Sequence, residues 1–228
     1  MNTIFKRVIS GAAALGIAVS GLAIGVSTAY AADPTTGSIT INNSDAGQVD
    51  HSFDGWHLAS LTNVTKDSTN KINGFLIDTD DNMVRTIVAA MTSDQKVAYE
   101  KDANYYSTDN AVANPMGYLV EKVFKDKSGK ALSELTSPWG GDSSALRAFA
   151  ESLSKELAKA GAPTADKTGD SALKTGENKE LKQGLWFLKD VTTTDDTKGT
   201  NSIPIITPTT FDGADSWGTV TLKNTTPT

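Results

Sequence analysis

The closing stretch WGTVTLKN, residues 217–224, holds a single lysine, Lys223. Side chains alternate along a strand, so a strand here sets Val220 and Leu222 on one face and Thr219, Thr221 and Lys223 on the other. An outward lysine at a strand end is open to an enzyme. It is also the charge that an edge strand carries against aggregation. A solvated lysine, with a pKa near 10.4, leaves only about one amine in a few thousand neutral at pH 7. Acyl transfer to it therefore needs a base nearby and an acyl group already activated as an enzyme thioester. On that chemistry the chain is a substrate of catalysis and supplies no catalyst.

Other constellations lead to blander readings. GGDSS at 140–144 resembles the Gly-Asp-Ser nucleophile of some secreted esterases, but that chemistry needs a histidine base, usually late in the chain. The two histidines, His51 and His57, are both early, so Asp142 is read as a helix N-cap. His51 and His57, with Asp50 and Asp54 close in sequence, are read as strand or turn residues without a ligand, and no metal or other cofactor is expected. DTDDN at 78–82 starts with the spacing of a calcium loop, but Met83 stands where the loop needs glycine and Ala89 where it needs a bidentate acid. It is read as a helix start with acids at the positive end of the dipole.

The elements that would position these groups are legible in outline. Residues 1–31 have Lys6 and Arg7, an apolar run from Val8 to Val26 and a small-residue end at Ala29-Tyr30-Ala31. This is a secretory signal with cleavage expected between Ala31 and Ala32, which places the mature chain outside the cell and free of the membrane. The remaining 197 residues carry 19 basic and 27 acidic side chains, a formal charge of −8, which argues against nucleic acid or an anionic membrane surface as partner. A secreted chain usually draws on disulfides, yet there is no cysteine, so durability must come from packing or from another crosslink.

Strands are expected around Ser38–Ile41, in FDGWHLASLTNV with two apolar faces, in GLWFLKD at 184–190, in SIPIITPT at 202–209 and in the closing WGTVTLKN. Pro204 points to an edge position for the fourth of these. TTTDDTKGTN reads as a long hairpin loop, and 162–183 as mostly loop. From about residue 80 to 160 the period is helical: Met83, Ile87, Ala90 and Met91; then Asn114-Pro115 as an N-cap leading into Met116, Leu119, Val120 and Val123. A third helix, ended by Gly161 and Pro163, carries Leu146, Phe149, Ala150, Leu153 and Leu157 on one face. Strands, then helices, then strands fit one α+β domain, mostly β: a β-sandwich whose terminal strands pair, with a helical insertion at about 80–160.

GSITIN after the signal, FDGWHLASL, the glycine-led aromatic strand GLWFLKD, SIPIITPT and the closing Trp, Val/Leu alternation and Lys-Asn come in an order that resembles the N-terminal domain of Gram-positive sortase-assembled pilins, the fimbrial backbone subunits. The resemblance covers residues 32–228 and implies an immunoglobulin-like sandwich. In that family a pilin motif, W-x-x-x-V-x-V-Y-P-K, presents a lysine that a pilin-specific sortase joins to the C-terminal threonine of the next subunit. Here Trp217, Val220, Leu222, Lys223 and Asn224 match it, with altered spacing and no Tyr-Pro. Members continue into further immunoglobulin-like domains and an LPxTG-type sorting signal, so the sequence corresponds to a first domain.

The resemblance thus implies a non-enzymatic cell-surface subunit whose partners are other pilin subunits and a pilin sortase, supporting adhesion. The first strand has no lysine where related domains place one, so no internal isopeptide bond is expected in this domain. A second reading makes the chain an accessory or tip adhesin, not polymerised through Lys223, that binds host glycan or matrix protein through exposed aromatics among Trp56, Trp139, Trp186 and Trp217. Three of these lie inside strand patterns, where core packing is expected; Trp139 lies in a loop.

Overall fold

A computed structural model describes residues 36–43, 50–70, 72–108, 112–125, 129, 144–192, 202–212 and 217–222. The expected signal and its cleavage site at Ala31 and Ala32, Asp142, Trp139, Lys223 and Asn224 lie outside the described residues.

The protein is α+β, with more strand than helix and several sheets. Strand β1 (Thr36–Asn43) pairs antiparallel with β7 (Asn178–Lys182) and parallel with β10 (Thr219–Leu222), giving a three-stranded sheet in the order β10-β1-β7. A second sheet runs β3 (Ile72–Thr79), β2 (Ser52–Lys66), β8 (Leu185–Asp190), β9 (Ile205–Pro208), all antiparallel, with the short β6 (Leu173–Lys174) also on β2. A two-residue pair, β4 (Tyr106–Ser107) with β5 (Val112–Ala113), stands apart. Among the described strands the first and last pair, as expected, and β9 sits at an edge.

The apolar residues on both faces of β2 and β8 explain the layering. Phe53, Trp186 and Leu188 pack with Leu173 and with Ile39, Ile41, Leu181 and Leu222 of the three-stranded sheet. Trp56, Leu58, Leu185 and Phe187 share a second cluster with the helices. The larger sheet therefore lies between the smaller sheet and a helical layer, buried on both sides.

The helices fall where the period changes. They are α1 (Val84–Ala90), α2 (Ser93–Lys101), α3 (Pro115–Tyr118) running into a π turn at Leu119–Val123, and α4 (Ser144–Leu157). Asn114 caps α3 as expected, accepting from the Gly117 N–H at 3.1 Å, with Pro115 at the first helical position. On α4 the stripe Leu146, Phe149, Ala150, Leu153 and Leu157 is buried, and Gly161 beyond its end takes φ +80°. Each buried Leu or Phe of that stripe stabilises the fold by about 1.5–3 kcal/mol.

One expectation needs refining and another correcting. The segment 162–183 is mostly loop, as expected, but it also supplies the short strands β6 and β7. In NKELK only Leu181 is buried among exposed or half-buried polar neighbours, so the strand is a charge-protected edge with too little apolar period to be read. The acids of 78–82 do not start a helix. The chain stays extended to Thr79, α1 begins at Val84, and its first turn has no acidic residue.

Candidate functional site

The segment that reaches Lys223 is built from its corner outward. Trp217 is buried, its indole perpendicular to the ring of Phe75 of β3 (ring centroids 5.4 Å apart, planes at 88°), with Phe211 at 6.5 Å. Among the described residues its indole N–H has no acceptor. Gly218 then turns the chain at φ +78°, where a Cβ would stand 2.5 Å from both the Ser38 carbonyl oxygen and the Thr210 nitrogen. Only glycine passes there.

From that corner β10 runs parallel to β1, with Ile41 beside Val220 and Asn43 beside Leu222. The Thr40 N–H donates to the Gly218 carbonyl at 2.7 Å. Thr219 and Thr221 are exposed, Val220 is half-buried and Leu222 is buried, which is the alternation expected from the sequence. Among the described strands, β10 is an edge of its sheet. The β2–β3 hairpin reaches the same region: the Lys66 ammonium lies 2.6 Å from an Asp212 carboxylate oxygen and 5.9 Å above the Phe211 ring. The sequence reading singled out Trp217, Val220 and Leu222 but missed Phe75, Phe211, Gly218 and the Lys66–Asp212 pair. The Phe75–Trp217 and Lys66–Asp212 contacts cross more than 130 residues of chain, and the one local signal was the Trp-Gly dipeptide.

The two histidines are not brought together. His51 Nδ1 lies 2.6 Å from Asp190 Oδ2, both deeply buried. His57 Nδ1 lies 2.7 Å from Asp80 Oδ2, its Nε2 is 3.0 Å from the Gln183 carbonyl, and its ring edge meets Trp186. The half-exposed Lys182 donates to both Asp80 oxygens at 3.2 Å. Lys182 closes the end of β7, His57 lies in β2 and Asp80 follows β3, so this cluster ties one sheet to the other. Among the described residues no group of three or more His, Cys, Asp or Glu side chains is placed to hold a metal ion.

Partial burial pushes the Asp80 carboxyl up, but the hydrogen bond and charge of His57 and the charge and hydrogen bond of Lys182 together hold it below the ordinary carboxylate range. A carboxyl depressed in the folded state stabilises the fold above its unfolded value, near 3.9, and that contribution disappears as the pH falls through the folded value. Thermal melts of wild type and Asp80→Asn should therefore differ most at neutral pH and converge as the pH falls below the ordinary carboxylate range. A gap that stays constant with pH would show that Asp80 acts by shape and not by charge.

No helix among the described residues is long and apolar enough to cross a membrane. No family model and no curated protein matches the chain.

Proposed function

We propose that this chain is an extracellular structural subunit of a Gram-positive fimbria, polymerised by a pilin sortase through an isopeptide bond at Lys223 and supporting cell adhesion. The observation that carries the reading is the strand β10, an edge among the described strands, which pairs with the first strand and has Thr219 and Thr221 exposed and Leu222 buried. On this reading the two packed sheets are a divergent immunoglobulin-like sandwich and the helices its insertion.

The chemistry asked of the chain is modest. The neutral amine of Lys223 attacks the thioester carbonyl of the acyl-sortase. The N–C bond forms, the C–S bond breaks, the amine gives up a proton and the enzyme thiolate takes one. Lys182 is the instructive contrast: it is half-exposed on β7, an edge among the described strands, but Asp80 holds its ammonium, so it should remain unacylated. Of the aromatics named for the glycan-binding alternative, Trp56, Trp186 and Trp217 are buried, and Trp139 lies outside the described residues.

The test is to incubate residues 32–228 with a pilin sortase and an LPxTG peptide and to map the products by peptide mass spectrometry. The expected product is a branched peptide at Lys223, absent from Lys223→Arg. Attachment only at other lysines, or none, would sink the reading.

A further inference from the structure

We propose that the β2–β3 hairpin is a positioning clamp for β10, in which Phe75, aided by Phe211 and the Lys66–Asp212 pair, holds Trp217 and so fixes the register in which β10 leaves the Gly218 corner. The inference rests on the reading of Lys223 as the acyl acceptor.

The need for a clamp follows from the size of β10. Four residues bonded along one side to β1 make a weak strand, and Leu222 is its one fully buried side chain. A one-residue slip would exchange the inward and outward sets of β10, taking Leu222 out of the core. Register therefore has to be fixed upstream of the strand.

Trp217 is the upstream anchor, and what grips it comes from elsewhere in the chain. Phase is set at two points. The indole packs perpendicular to the Phe75 ring at one end, and at the other the Ser38 carbonyl and the Thr210 nitrogen fill the space where a Cβ on Gly218 would stand. The hairpin that carries Phe75 is bulged between Thr62 and Thr65, where Asn63 takes φ +51°, and Lys66 near its tip is tied to Asp212, next to Phe211. Asn70 at the tip adds a long contact, 3.5 Å, to the same carboxylate. The two ends of the Phe211–Trp217 segment are thus both held by one hairpin. Phe75 touches no reacting atom on this scheme, so it is a positioning residue, not a catalytic one.

The experiment compares residues 32–228 as wild type, Phe75→Ala, Phe75→Tyr and Asp212→Asn, by amide exchange and by sortase ligation to an LPxTG peptide. Phe75→Ala should speed exchange of the Val220–Leu222 amides, and lower the rate of branching at Lys223, by about tenfold, the size of one aromatic edge contact. Exchange in α4 should be unchanged, which separates the clamp from a general loss of stability. Phe75→Tyr, which keeps the ring, should restore both. Asp212→Asn, at a largely exposed side chain, leaves the core intact and should give the same two shifts at about twofold, as suits an exposed ion pair. Ligation of the wild type and Phe75→Ala at equal rates, or unchanged β10 exchange in both Phe75→Ala and Asp212→Asn, overturns the clamp alone. No ligation of the wild-type chain overturns the reading of Lys223 and the clamp's role with it.

Discussion

Asp190→Ala should cost the fold about 3–5 kcal/mol, because it removes the shared acceptor of a buried hydrogen-bonded network and leaves the donors in place. The Asp190 side chain is almost fully inaccessible and accepts from four donors: His51 Nδ1 at 2.6 Å, the Thr192 N–H at 2.9 Å, the Thr192 hydroxyl and the Ser202 N–H at 2.6 Å. Thr192 lies just past β8 and Ser202 just before β9, so one carboxylate gathers the two sides of the β8–β9 connection and ties both to His51 at the start of β2. Backbone donors stripped of an acceptor in such a place carry their full desolvation penalty.

For a chain of this length the thermal midpoint should fall by about 6–20 °C, and the urea midpoint, followed by the buried tryptophans, should fall with it. Asp190→Asn should cost less. Its amide oxygen can still serve Thr192, while its NH2 group faces the Ser202 N–H, where an acceptor is needed. A loss under about 1 kcal/mol for the alanine variant would mean that water replaces the carboxylate, and that the network is not the anchor of this connection.

What the sequence shows and what it hides divide along the range of the interactions. The buried stripe from Leu146 to Leu157, the cap at Asn114 and the two-faced strands β2 and β8 were legible because each is written in neighbouring residues: a period of 3.6, an Asn-Pro pair, an unbroken apolar run. The pairing of β1 with β10 was legible from the strands-helices-strands order. β7 was not, because it buries only Leu181 and gains its place from β1 rather than from its own pattern. Asp80 was misread for a related reason. Acids just ahead of an apolar period look like helix-start residues, while the partners that claim this one, His57 and Lys182, lie 23 and 102 residues away. At the candidate site the split is the same: the alternation of β10 was visible, and the Phe75–Trp217–Phe211 contact that seats it was not.

The glycine that leads the aromatic strand yields the second large effect. Gln183 and Gly184 are the whole connection by which the chain passes from β7 in one sheet to β8 in the other. Gly184 takes φ +146°, and a Cβ there would stand 2.1 Å from the Ala59 carbonyl oxygen and 2.4 Å from His57 Nε2. Neither obstacle is a flexible chain end. One is backbone of the central strand at its bulge between His57 and Ala59, and the other is a buried ring held by Asp80 and by the Gln183 carbonyl. Alanine at 184 therefore adds to the conformational strain, itself about 1–3 kcal/mol, a clash that only a shift of β2 against β8 can relieve.

Gly176→Ala separates the two contributions. Gly176 has φ +79° but nothing within 4 Å of the Cβ position, so its alanine variant meets only the left-handed penalty of about 1–2 kcal/mol. Gly184→Ala should exceed it by at least about 2 kcal/mol in urea unfolding, with the two sheets losing exchange protection together. Equal losses at the two positions would mean that the β7–β8 crossing yields easily. The close approach of Gly184 to His57 would then not be what holds the two sheets in register.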